Sequence, residues 1–266
     1  MSVRAPAVAG SFYPGNAADL RRQVEAALPP VRAAKALGAL VPHAGYMYSG
    51  KVAGEVYARV EIPRDVVLLC FNHRGRGADV AVWEEGAWGT PMGDVPVAED
   101  LAREILARCP GATSDESGHL GEHSGEVQLP FLLARRPDVR VAPVSLSTGD
   151  FDALRAFGRA LAAVPGDFLA LATTDLNHYE DQETTLRKDA EVIGALERLD
   201  ADALREAVTR GGVSMCGYAP SAALCAYAKA KGAARAVTVK HATSGDVSGD
   251  LERVVGYVGM IVPCGN

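Results

Sequence analysis

Val66-Val67-Leu68-Leu69-Cys70-Phe71-Asn72-His73 decides how this chain is read: six apolar residues stop abruptly at an amide and an imidazole. A short apolar run closed by turn residues predicts a buried strand with a polar group at its carboxyl end. The same plan recurs on both sides. Leu37-Gly38-Ala39-Leu40-Val41-Pro42 runs into His43, and the run from Phe168 to Thr174 leads through Asp175-Leu176-Asn177 into His178. Strands are predicted at 37–41, 66–71, 80–83, 139–144, 168–173, 236–240 and 254–261. Between them, helical periodicity predicts a helix capped by Asn16 and ending at Leu28. Further helices are predicted at 50–60, 98–107, 125–135, 151–163, 181–199, 202–209 and 220–231. Strands alternating with helices define an α/β protein with a mixed, mostly parallel sheet flanked by helices.

The 266 residues are 48% hydrophobic and 23% charged, close to the globular average, which excludes a disordered or fibrous chain. No low-complexity tract, repeat or linker divides them, so a single domain over residues 1–266 is expected. The glycine-rich pieces at 74–77, 211–212 and 244–249 read as loops, and none is a phosphate-binding or dinucleotide fingerprint. Twenty-seven Lys and Arg against 33 Asp and Glu give a net charge of −6 with no basic run, so neither nucleic acid nor an acidic membrane is an expected partner. The N-terminus has no signal-peptide h-region, and no stretch reaches the length of a membrane span. Five scattered cysteines without a CxxC suggest no disulfide framework and fit a reducing cytoplasm.

In open α/β sheets ligands bind outside the carboxyl ends of the strands, so His43, His73 and His178 have a common place to meet. Each alone could cap a strand or bond a loop. Together they suit a metal held by two imidazoles with a third moving protons. Asp175 could orient His178 or serve a turn. In Gly121-Glu122-His123-Ser124-Gly125-Glu126, Ser124 is a candidate N-cap with Glu126 in the first helical turn, and His123 could reach the crevice as substrate binder or proton shuttle. His119 reads as a surface residue and His241 as structural. Cys216 stands in a loop leading to a helix, where a thiol can have a lowered pKa and act as ligand or nucleophile. Cys70 and Cys225 read as small core residues.

Several segments carry a resemblance. They are Arg4 to Pro14 (RAPAVAGSFYP), Pro42 to Gly50 (PHAGYMYSG), Thr90 to Gly93 (TPMG), Glu122 to Phe131 (EHSGEVQLPF), Thr174 to Tyr179 (TDLNHY) and Cys216 to Pro220 (CGYAP). On these the chain resembles the Memo family, known in prokaryotes as AmmeMemoRadiSam system protein B. The resemblance implies an α/β domain similar to class III extradiol dioxygenases of the LigB type, which are non-haem iron enzymes. Carried over by motif, His43 and His73 would be imidazole ligands, Cys216 would replace the dioxygenase carboxylate, and His178 would be the acid/base residue. His123 and Tyr46 would bind substrate. The family's usual Gly-Pro lead-in to the second histidine is Cys70-Phe71 here. Iron or copper with redox activity is implied, as is a small-molecule or peptide ligand. Radical-SAM and Ammecr-type proteins would be partners.

A His/His/Cys set is softer than two histidines and a carboxylate, so ring cleavage does not transfer directly. Three classes stay open: a metal-dependent oxidoreductase; a metal-free enzyme with Cys216 as nucleophile, His178 as base and Asp175 as orienter; and a binding module that keeps the pocket without turnover.

Overall fold

The apolar runs around Leu68 and Leu171 lie side by side in the middle of a nine-stranded sheet. A computed structural model describes residues 2–265. The chain begins with β1 (Val3–Arg4), α1 (Ala17–Ala27), β2 (Ala36–Val41), α2 (Tyr46–Arg59), β3 (Asp65–Phe71), β4 (Val80–Val82), β5 (Ala87–Thr90) and β6 (Gly93–Pro96). Next come α3 (Glu99–Arg108), β7 (Ala112–Ser114), a 3-10 turn (Glu126–Gln128), α4 (Leu129–Arg135), β8 (Arg140–Leu146), α5 (Phe151–Leu161), β9 (Phe168–Thr173) and β10 (Asp175–Glu180). It closes with α6 (Gln182–Glu197), α7 (Ala201–Thr209), α8 (Tyr218–Ala230), β11 (Val237–Thr243), α9 (Gly245–Ser248) and β12 (Val254–Pro263).

The large sheet runs β10-β12-β2-β9-β3-β8-β4-β7, with β11 also on β12. Its centre, β2-β9-β3-β8, is parallel. Buried on both faces, these strands are continuously apolar, Val66 to Leu69 being wholly buried. At one flank β12 runs antiparallel to β2, β10 and β11, and at the other β4 runs antiparallel to β8. Helix α8 covers β9 and β3, and α2 covers β12 and β2. The architecture is α/β with mixed sheets flanked by helices, consistent with a LigB-like fold. Among the described residues no helix is long and apolar enough to cross a membrane.

Side-chain caps set several helix starts. Asn16 accepts from the Asp19 N–H, and Asp150, Asp181 and Asp200 cap α5, α6 and α7 in the same way. The helix expected over 125–135 divides into the 3-10 turn and α4, whose Pro130 sits in the first turn, where a missing N–H costs nothing. Ser124 is not the expected cap: its hydroxyl donates to the Phe71 carbonyl at 2.8 Å. The expected loop after 168–173 contains β10, a polar strand that forms because β12 extends past β2 and offers it backbone partners.

Candidate functional site

Three of the four central parallel strands deliver a polar group to one place past their carboxyl ends. His43 follows β2 and His73 follows β3, while β9 passes through Thr174 into β10, which carries His178. They surround a cleft of about 560 Å³ whose lining includes His43, His73, His123, Asp175, His178 and Tyr257. Cys216 reaches the same place from the loop before α8. Its neighbour Gly217 lies so close to β9 that a Cβ there would stand 2.2 Å from the Thr173 carbonyl oxygen, so only glycine lets this loop seat.

His43 is buried, with Nδ1 3.0 Å from the Thr173 hydroxyl and Nε2 3.1 Å from Cys216 Sγ. His73 packs edge-on to it, ring centroids 5.1 Å apart, and His123 stacks on His73 at 4.6 Å. One donor atom from each of His43, His73 and Cys216 lies within 4.8 Å of the others. That spacing suits donors around one ion bonded at about 2.0–2.3 Å, so these residues could hold a metal. Burial lowers the His43 pKa well below the ordinary imidazole value, assisted by the neighbouring His123 and His73, and keeps its ring neutral. Burial likewise pushes the Cys216 thiol up, with the Asp175 carboxyl adding to it, so the expected lowered pKa is not found.

Glu122, passed over in the sequence as one carboxylate in a polar loop, organises the second ligand. It accepts the His73 backbone N–H at 2.7 Å and lies 2.9 Å from His73 Nδ1, and it also takes the backbone N–H groups of His123 and Ser124. A carboxylate only accepts, so His73 carries its proton on Nδ1 and turns Nε2 to the cleft. Burial pushes the Glu122 carboxyl up, but the hydrogen bonds it takes from His73 and the Ser124 backbone N–H prevail and hold it well below the usual carboxylate range.

The loop bearing Glu122 is tied to the N-terminus. Arg4 donates to the His119 and Glu122 carbonyls and pairs with Glu126 at 2.7 Å, both side chains being buried. Glu126, expected in a helical first turn, also accepts from the backbone N–H groups of Ala7 and Val8 and from the Tyr13 hydroxyl. The strap ends at Phe12, which lines the cleft and packs 4.8 Å from His123. His119 is not at the surface as expected. It is fully buried, its Nε2 bonding the Ala81 carbonyl, with its ring edge-on to Trp83 and Trp88.

Two expected roles change. Asp175 lines the cleft but does not orient His178: its carboxylate accepts the His43 backbone N–H at 2.9 Å. Burial raises its pKa to about 7. His178 is held by Ser214, whose carbonyl oxygen lies 2.8 Å from Nδ1 and whose hydroxyl accepts the His178 backbone N–H at 2.8 Å. Register shifts in the β10–β12 ladder and a φ of 62° at Tyr179 turn this segment toward the cleft. Tyr46, expected to touch substrate, does not line the cleft. Starting α2 four residues earlier than predicted puts its ring in the core against Phe131, with its hydroxyl donating to the Val127 carbonyl at 2.5 Å.

The fold and site together define a class: an α/β protein with a histidine-lined cleft, backed by Cys216 on His43, at the carboxyl end of its parallel strands. A family model described as Memo-like protein matches residues 4–261. A MEMO1 family protein of Aquifex aeolicus is 41% identical over 98% of this chain and 99% of its own length. Relatives of the same name from Thermotoga maritima and Methanosarcina acetivorans are 41% and 38% identical, each covering at least 97% of this chain and 99% of the relative. The chain belongs to the Memo family.

Proposed function

We propose that this protein is a metal-dependent redox protein in which His43, His73 and Cys216 hold one iron or copper ion and His178 exchanges protons with the ligand in the cleft. The observation that carries this reading is the meeting of the three donor atoms within 4.8 Å at the strand ends. Two imidazoles and a thiolate are a donor set that suits copper and thiolate-bound iron. When bound, such an ion supplies electron transfer. The chain itself keeps His43 neutral by burial, aims His73 Nε2 through Glu122 and seats the ligand among Phe12, Tyr48 and Tyr257. His178, protonated on Nδ1 by its bond to the Ser214 carbonyl, offers Nε2 as the proton acceptor. Free thiols at all five cysteines support a reducing, cytoplasmic setting. A small-molecule or peptide ligand fits the cleft, and radical-SAM and Ammecr-type partners belong to the same reading.

A second reading rests on the 3.1 Å contact between His43 Nε2 and Cys216 Sγ, which is hydrogen-bonding distance for a metal-free Cys–His pair. In that case His43, not His178, is the base. Elemental analysis of untagged protein purified without oxygen separates the two. His43→Ala, His73→Ala and Cys216→Ala should each lower metal content by a large factor, because each removes a direct bond. His178→Ala and the buried control Cys70→Ala should keep it. A triple variant with wild-type stoichiometry would sink the assignment, and metal loss in His178→Ala would make it a fourth ligand. Glu122→Gln should weaken metal affinity about 10–100-fold, as loss of a carboxylate behind a ligating histidine does. Unchanged affinity in a competition titration would leave Glu122 a structural residue only.

A further inference from the structure

Behind His178 runs a polar chain that the proposed chemistry does not use. Asp189, in the middle of α6, has a fully buried side chain. Its Oδ1 accepts the Asn177 backbone N–H at 3.0 Å, and its Oδ2 lies 2.8 Å from Nε2 of His241 on β11. Asn177 Oδ1 in turn accepts from the Ser214 N–H at 3.2 Å and the Ser214 hydroxyl at 3.1 Å. Ser214 then holds His178 at both its backbone N–H and its Nδ1. The carboxylate fits only because residue 256 is glycine, since a Cβ there would stand 1.9 Å from Asp189 Oδ2. The same helix grips the segment twice more, through Thr185 on Asn177 and Lys188 on the Gly212 carbonyl.

A buried carboxylate is costly unless its hydrogen bonds are made, so this one is placed where its two partners need it. The chain passes through a backbone N–H at Asn177, which cannot hand on a proton, so it fixes geometry and carries no proton to the cleft.

We propose that Asp189, clamped by His241, is a positioning residue that locks His178 in the Nδ1–H tautomer with Nε2 facing the cleft. The proposal rests on the reading of His178 as the proton-exchanging group, but its test does not depend on metal. The full chain, metal-free and labelled with ¹⁵N-histidine, reports the His178 tautomer through its two ring nitrogen shifts. The wild type should show almost entirely the Nδ1–H form. Asp189→Ala should turn this into a mixture of both tautomers, with the shifts of His43 and His119 unmoved. Asp189→Asn, whose carboxamide oxygen can still accept the Asn177 N–H, should restore the wild-type pattern. Should Asp189→Ala fail to fold, His241→Leu decides, because His241 is partly exposed on its strand. It should shift His178 the same way by a smaller amount, and His241→Gln, which can donate an N–H to Asp189, should shift it back. A folded Asp189→Ala, or failing that His241→Leu, with the wild-type His178 tautomer overturns the proposal. Metal content is measured separately on untagged wild type as purified without oxygen. No metal there, together with the expected tautomer response, would remove the metal reading and leave this one standing.

Discussion

Arg4→Met should cost about 3–5 kcal/mol of unfolding free energy, because it removes one partner of a buried ion pair and leaves the other charge without compensation. The side chains of Arg4 and Glu126 are 2% and 0% exposed, so water cannot take the place of the lost guanidinium. Methionine keeps most of the volume, which confines the loss to charge and hydrogen bonds. The His119 and Glu122 carbonyls also lose their donors, adding to the cost. Urea unfolding followed by tryptophan fluorescence measures the change. Arg103→Met, which breaks the exposed pair with Glu99, serves as the comparison and should cost less than about 1 kcal/mol. If both variants lie within that smaller range, residues 4–12 are not the strap described above.

The metal-free protein should lose stability steeply as pH falls from 6.5 toward 4. Burial holds His119 and His123 at about 4 against an ordinary 6.5, and His43 well below 6.5. Between those limits the unfolded chain binds histidine protons that the folded chain refuses, so stability drains away on acidification, and the buried Asp175 carboxyl, which takes its proton in the fold near 7, offsets only part of the loss. For His119 and His123 the window corresponds to about 3 kcal/mol each. Glu122 works in the same sense lower down, because its folded carboxyl sits below the ordinary 4.5 and only the unfolded one takes a proton there. Urea midpoints at pH 7.5, 6, 5 and 4.5 measure the slope, and His119→Gln should flatten it. A flat profile across this range would mean that the fold accepts these protons.

The sequence announced the parallel centre because strands buried on both faces have to be apolar almost throughout, as 66–71 and 168–172 are. It also pointed to His43, His73 and Cys216, through the positions of strand ends and one loop thiol. It could not show β10, whose residues Asp175 to Glu180 have no strand pattern and form a strand only because β12 supplies partners from far along the chain. The same distance hid Glu122, Ser214 and Arg4. Each acts across the fold through backbone groups, and backbone carbonyls and N–H groups leave no mark in an amino-acid string. Asp175 deceives for the converse reason. Three positions from His178 looked like proximity, yet along an extended strand it sets the carboxylate beside His43 instead. His119 lay in a glycine- and serine-rich stretch whose composition implies exposure, whereas Arg4 draws that stretch inward over Trp88.

The place of β12 also bears on how the molecule is made. It pairs with β2, the strand that leads to His43, so until β12 leaves the ribosome β2 lacks its partner on that side. The nascent chain therefore carries an apolar strand with unmet backbone groups from Ala36–Val41 until Val254–Pro263 has been made. Such an edge is where chains stick to one another, so products cut short before Val254 should aggregate unless a chaperone holds them. The β10 segment carrying His178 waits for the same strand, so the cleft is completed only once Val254–Pro263 has been made.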